Sequence, residues 1–428
     1  MAAASTSPAK LATLGSGEYG CVIRPPVPCN PAKTEYADSA SLDARPHVSK
    51  LFLKKGPGYT DKANEEFGAY QLIKERDPRG AFTVGIDAFC TPQFSPEYDE
   101  RTIKSICNAR PMFFGRQLVY EYGGTNLLML LKENTVPFYT ILESLTSIVN
   151  GLVVLSQEPA LVHMDIKPEN IVLNTDPGMP PTAKLIDFGL SGPVSEILKA
   201  ELLSNAYEFY PPEWRALAYR LPAPETTAFK RLLRDFTGGK EKLEAQFLEM
   251  AQELVSKSRT PDLQAAYFGT DDCKKTIRDL FGTKLDVYSL GMTVAMLYIV
   301  LKHKGRESDA NNATLNRDLQ AWVQMASHGN AFKRYAPQRA AHVWEDIWTR
   351  YHAANSAALQ MSAIPSTTQM YPPLPRSPGV GGSDSPTGLT SFGGKRRSKR
   401  SRSKTLRTLR RPKVARRRKS RSASKRRK

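Results

Sequence analysis

His163-Met164-Asp165-Ile166-Lys167-Pro168-Glu169-Asn170, followed by Asp187-Phe188-Gly189, is the stretch on which the reading of this chain turns. Within 23 residues it brings together Asp165, Lys167, Asn170 and Asp187. Phosphoryl transfer from a nucleotide asks the protein for little covalent work and much positioning and charge neutralisation. It needs a carboxylate near the attacking hydroxyl, a cation near the transferred group and oxygen ligands for Mg²⁺. These four residues are that set. The plainer alternative is a charged surface loop beside an unrelated Asp-Phe-Gly turn, and the order and spacing of the four groups weigh against it.

Outward toward the N-terminus lies Gly15-Ser16-Gly17-Glu18-Tyr19-Gly20-Cys21-Val22. Glycines at these offsets let backbone N–H groups approach phosphate oxygens with no Cβ in the way. Alone, the same stretch reads more often as an ordinary hairpin turn. Taken together, HMDIKPEN and DFG resemble the catalytic and metal-binding loops of eukaryotic-type Ser/Thr protein kinases. The resemblance implies ATP and Mg²⁺ as cofactors, Asp165 and Lys167 as the catalytic pair, and Asn170 and Asp187 as metal ligands. It makes Gly15, Ser16, Gly17, Glu18, Tyr19, Gly20 and Val22 the phosphate-covering loop. Val48-Ser49-Lys50 looks like the strand whose Lys grips the α/β-phosphates, and Glu66 looks like its ion-pair partner, with Glu65 an adjacent rival. Val119-Tyr120-Glu121-Tyr122-Gly123 resembles the hinge, where the Glu121 carbonyl and the Gly123 N–H would bond adenine. Pro211-Pro212-Glu213 stands where the family has Ala-Pro-Glu. Asp286-Val287-Tyr288-Ser289-Leu290-Gly291 resembles the helix whose Asp braces the catalytic loop.

The resemblance implies an α+β, two-lobed protein-kinase fold over residues 11–353. A small β-rich lobe would span about 11–122, and a larger helical lobe 123–353 would carry a helical insertion near 215–283. The residue patterns agree. LATLGSGEYGCVI, HVSKLFLK and RQLVYEY read as strands, and ANEEFGAYQLIKE places Phe67, Tyr70 and Ile73 on one helical face. Helical spacing recurs at Phe138–Leu155, Phe229–Ser256 and Leu285–Leu301. A narrower resemblance, to kinases encoded by large nucleocytoplasmic DNA viruses, rests on GEYGCVIRPPVPCN and HVSKLF.

Composition bounds the rest. The chain has 428 residues, 40% of them hydrophobic, with 61 Lys and Arg against 42 Asp and Glu. Twenty of those cations crowd into Lys395–Lys428 without a single acid, leaving the preceding residues near neutrality. Residues 354–394 are rich in Pro, Gly, Ser and Thr and read as a flexible linker. Residues 395–428 read as a disordered basic tail, and residues 1–10 as a disordered N-terminus. MAAASTSPAK has no long apolar run and signals neither secretion nor lipidation. The longest apolar stretch, around Leu290–Leu301, is too short for a bilayer, so no membrane partner is expected. Five scattered Cys, at 21, 29, 90, 107 and 273, show no metal-ligand pairs, and their odd count fits a reducing, intracellular setting. Cys21 and Cys29 read as packing under the loop rather than as a metal pair.

The tail would bind nucleic acid or another polyanion with strong salt dependence. Nuclear targeting, nucleic-acid or virion-core association and a merely solvated tail stay open, and with them host cytoplasm, nucleus or virion as the location. Eight tail hydroxyls, and Glu169 beside the catalytic loop, point to basic protein substrates, the tail itself among them. The rival from another class is a catalytically silent kinase-fold scaffold that binds nucleic acid through the tail. Oligomeric state is left open. Two departures stand out. Met164 replaces an Arg that many family members use to hold a phosphorylated segment, and a Met cannot pair with phosphate. Activity is therefore expected not to depend on phosphorylation of Ser191, Ser195 or Ser204. SNAYEFY, before Pro211, also lacks the usual Thr.

Overall fold

The computed structural model describes residues 11–362 apart from 17–18, 39–41, 43–45, 55–60, 109–112, 134–135, 176–179, 198–208, 304–311 and most of 218–270. These residues belong to one compact unit that ends at Pro365. The basic tail, the linker beyond residue 362, the N-terminal ten residues and most of the expected insertion, including most of its Phe229–Ser256 stretch, lie outside the described residues.

The first part of the chain builds a sheet. Its strands are β1 (Ala12–Ser16), β2 (Gly20–Arg24), β3 (Cys29–Ala37) and β4 (His47–Lys54). Helix α1 (Lys62–Arg76) follows, then β5 (Ile86–Pro92), α2 (Glu100–Ile106) and β6 (Phe113–Glu121). The six strands pair antiparallel in the order β1-β2-β4-β6-β5-β3. Strand periodicity gives the sheet two working faces. Val48 and Phe52 join the main core beneath α1, whereas Leu51 and Leu53 join a smaller cluster with Ile23, Ile103 and Phe114 on the α2 side. Helix α1 starts on Asp61, whose carboxylate accepts from the N–H groups of Ala63 and Asn64.

Two disulfides cross this lobe, Cys21–Cys107 and Cys29–Cys90, each with Cα atoms 5.7 Å apart. This corrects the cysteine reading: four of the five are paired, and the argument for a reducing setting loses its basis. The partners stand 86 and 61 residues apart, and connectivity over such spans is not readable from sequence. Among the described residues no group of three or more His, Cys, Asp or Glu is arranged to hold a metal ion.

The rest of the unit is mainly helical. Short β7 (Thr125–Asn126) leads into α3 (Leu127–Glu133), α4 (Phe138–Ser144) and α5 (Thr146–Leu155). Then come β8 (Leu161–Val162), a 3₁₀ turn (Pro168–Asn170), β9 (Ile171–Asn174), β10 (Thr182–Leu185) and β11 (Gly192–Pro193). Helices α6 (Pro212–Leu217), α7 (Asp271–Phe281), α8 (Lys284–His303), α9 (Ala313–Ala326) and α10 (Pro337–Ser362) complete it. The last helix therefore runs into the stretch expected to be linker. Phe138–Leu155 is apolar enough over 18 residues to pass for a membrane span, longer than the run near Leu290 singled out above. It is instead two helices whose Phe138, Ile141, Leu145, Ile148, Leu152 and Leu155 are buried in the core.

One short clasp joins sheet and helices. The Asp77 carboxylate accepts from the backbone N–H groups of Ala81, Phe82 and Thr83 and from the Thr83 hydroxyl at 2.7–3.0 Å. So held, this loop meets β10: Leu185 N–H donates to the Phe82 carbonyl and Val84 N–H to that of Leu185. A Cβ at Gly151 would fall inside the Phe82 ring, so glycine there is what lets Phe82 sit on α5.

Candidate active site

Strand β4 delivers Lys50 and α1 delivers Glu66. The Lys50 ammonium donates to both Glu66 oxygens, at 2.8 and 2.6 Å, and to Asp187 Oδ1 at 2.9 Å. Glu66 is buried, whereas Glu65 is exposed and pairs with Lys62. The placement follows from helical phase: Glu66, Tyr70 and Ile73 share the inward stripe. Burial alone would lower the Lys50 pKa, but the two carboxylates more than offset it and hold the ammonium well above its ordinary range. Burial pushes the Glu66 carboxyl up, with Lys50 and Tyr120 pulling against it. Burial also opposes ionisation of Asp187, yet Lys50 beside it brings the carboxyl below its usual value.

The loop between β8 and β9 carries the second group. Asp286, near the start of α8, accepts from the backbone N–H groups of His163 (2.6 Å) and Met164 (3.0 Å). Burial raises its pKa, while His163 and the two N–H groups favour the charged form. That brace holds Met164 at φ 70°, a left-handed conformation that a side chain adopts only under such constraint. Asp165 is thereby presented with its Oδ2 accepting from Lys167 Nζ and Asn170 Nδ2, both at 2.7 Å. Asp187 also has positive φ, 67°, which turns the chain so that Phe188 stays buried while its own carboxylate remains partly open. Phe188 lies between Tyr70 of α1 and His163, with ring centroids at 5.7 and 5.4 Å.

The residues expected to cover phosphate and to form the hinge lie on β1, on β2 and at the end of β6. Gly15 and Ser16 end β1, and Val22 of β2 pairs with Lys50 in register. The exposed Tyr19 accepts from Leu53 N–H through its carbonyl, and a Cβ on Gly20 would strike the Leu51 carbonyl oxygen. Gly17 and Glu18 lie outside the described residues. Glu121 ends β6 with its N–H on the Gly85 carbonyl, and Gly123 fits where a Cβ would collide with Val84 and Val172.

Met164 is fully buried with Ile197, Tyr210, Trp214 and Phe281, so an apolar cluster surrounds the position noted above as a Met in place of a phosphate-pairing Arg. The Ser191 hydroxyl donates to the His163 carbonyl; Ser204 lies outside the described residues. Glu213 forms a fully buried pair with Arg334, at 2.5 and 3.0 Å. Sequence reading had no partner for Glu213, because Arg334 comes 121 residues later. It also missed Tyr120, whose hydroxyl donates to Glu66 Oε1. The signal was present in the alternation of β6, which puts Leu118 and Tyr120 on one face.

A sheet thus presents a paired lysine toward a braced Asp–Lys–Asn loop and a left-handed Asp. Residues 104–220 match the family described as Protein kinase domain, a match that takes in residues 119–123, 163–170 and 187–189 and supports a protein kinase. Lys50, Glu66 and Asp286 lie outside the matched stretch. A comparison with curated proteins finds no match, so the narrower viral likeness gains no support there.

Proposed function

We propose that the protein is a Ser/Thr protein kinase, moving the γ-phosphoryl group of ATP to a protein hydroxyl. The observation that carries this reading is the Lys50 ammonium shared between Glu66 and Asp187 while Lys167 and Asn170 converge on Asp165. Asp165 takes the hydroxyl proton as that oxygen bonds to phosphorus and the bond to the bridging oxygen of ADP breaks. Lys167 offsets charge on the transferred group, and Lys50 does so on the remaining phosphates. Mg²⁺ suits the donor set, because it is usually held by one or two carboxylates together with substrate phosphates. The Asp187 carboxylate and the Asn170 amide oxygen would hold it, and it would neutralise charge between the β- and γ-phosphates. Lys167, two residues after Asp165, favours Ser/Thr over Tyr by resemblance.

The polybasic 395–428 segment serves, on this reading, as a nucleic-acid-binding or nuclear-targeting element, and its hydroxyls are candidate substrates. Phosphate added there would weaken polyanion binding. The likeness of GEYGCVIRPPVPCN and HVSKLF to viral kinases supports a viral origin and a host-cell or virion location.

Transfer from γ-labelled ATP with Mg²⁺, to a basic and an acidic generic protein, tests the reading. Asp165→Asn should lower turnover by about 10²–10⁴-fold with the fold intact. Mass spectra of ATP-treated protein should place phosphate on the tail. Wild type that binds ATP yet transfers nothing would return the protein to the silent-scaffold reading.

A further inference from the structure

We propose that Tyr120 is a positioning residue of this site, holding Glu66, and through it Lys50, in the transfer-competent arrangement by the hydrogen bond from its phenol to Glu66 Oε1. The inference rests on the phosphotransfer reading above and names a group that reading does not use.

One lysine serves two carboxylates here, the buried Glu66 and the partly open Asp187, so the trio carries an excess negative charge. Glu66 sits on a helix that contacts the sheet through side chains, whereas Asp187 belongs to the helical lobe. A lysine shared in this way can follow either partner. What keeps it on Glu66 is whatever fixes the Glu66 carboxylate. Tyr120 is suited to that task. It lies on β6, between β4 and β5, paired with Val48 on one side and Ile86 on the other, so its backbone is anchored from both flanks. Its ring is buried in the core beneath α1. Any rotation of α1 that withdraws Glu66 must break a hydrogen bond to a charged group away from water, which is among the stronger neutral–ionic contacts a protein makes. Burial and the neighbouring Glu66 charge both raise the phenol pKa, so the group remains a donor throughout the working pH range.

The test is a double-mutant cycle of wild type, Tyr120→Phe, Glu66→Gln and the pair, in the full chain. For each, kcat and KM for Mg·ATP are measured on a generic protein substrate, and affinity for a fluorescent ATP analogue is measured alongside. Phe keeps the ring, so thermal melting should move little. Tyr120→Phe should lower kcat on the order of tenfold, and leave KM within about twofold. Added to Glu66→Gln it should change nothing further, in kcat or in nucleotide affinity, because the hydroxyl acts only through that carboxylate. An unchanged kcat in Tyr120→Phe, or effects that multiply in the double variant, would overturn the proposal. Should wild type prove inactive, the phosphotransfer reading falls, and the affinity cycle decides the Tyr120 inference separately. There the expected result is a loss of about twofold in either single variant with none added in the pair, and independent losses would sink it.

Discussion

In the sheet lobe, every residue of the outer strand β1 is exposed, and the opposite edge, β3, buries no residue fully. In the helical lobe, Trp214, Trp322 and Trp344 are almost wholly buried, and even the charged pair Glu213–Arg334 is sealed from water. A thin sheet with two sparse edges cannot bury much area per residue, and its two disulfides sit where that deficit is greatest. Cys21 lies on β2, next to β1, and is tied to the end of α2; Cys29 on β3 is tied to β5. The helical lobe holds itself by packing and one buried ion pair. The two halves of the site therefore rest on different kinds of support, one covalent and one close-packed.

Three perturbations test that contrast. The largest effect should come from Glu213→Gln, which leaves Arg334 charged and buried without its counter-ion, at about 3–5 kcal/mol. All four tryptophans lie in the helical lobe, so intrinsic fluorescence during denaturation reads that lobe directly. Equal loss in both lobes would mean that the two do not unfold separately. Next, Cys→Ala replacement of either disulfide pair should cost roughly 2–4 kcal/mol, since each closes a long loop of the unfolded chain. The loss should appear in far-UV signal before tryptophan fluorescence moves, and the denatured, unreduced wild type should show a single reactive thiol among its five cysteines. The smallest effect concerns acid. Burial, with Arg334 and Lys333 nearby, holds the His328 imidazole below its ordinary 6.5. The unfolded chain therefore takes up a proton near that pH while the folded chain resists it, and stability falls as pH drops below about 6.5. His328→Asn keeps an acceptor for the Asn330 N–H and should flatten that fall, as read from denaturation at about pH 7.5 against about pH 5.5.

What could be read from the residues depended on whether the signal was local. Strand β4 and helices α1 and α8 carry their own periodicity, and each was legible. So were the members of the Asp165–Asn170 loop, because chemistry fixes their spacing. Strand β3 was not: Pro31, Lys33 and Glu35 give an edge strand little apolar alternation to detect. The run from Phe138 reads as one helix, yet it breaks at Leu145. There the Ser144 and Thr146 hydroxyls bond back to the carbonyls of Ile141 and Glu143, which competes with straight helical pairing. The disulfides, the Glu213–Arg334 pair and the Tyr120–Glu66 bond join residues 54 to 121 positions apart. Only the assembled fold creates those contacts.

The Asp77 clasp carries a mechanical consequence. Backbone joins the lobes at the Phe82–Leu185 contacts and at the strand-to-helix connection through Gly123 and Gly124, beside the side-chain contacts of Lys50 with Asp187 and Tyr70 with Phe188. Two backbone junctions define an axle about which a rocking of the sheet would turn. Helix α1 ends beside that axle, where Arg76 bonds the Pro159 carbonyl, and its other end packs on the sheet, with Ala63 buried and Asp61 beside Arg116 of β6. Glu66 lies ten residues from Arg76, about 15 Å along the helix. A few degrees of turn at the axle thus becomes roughly an ångström at the carboxylate, enough to part it from a lysine.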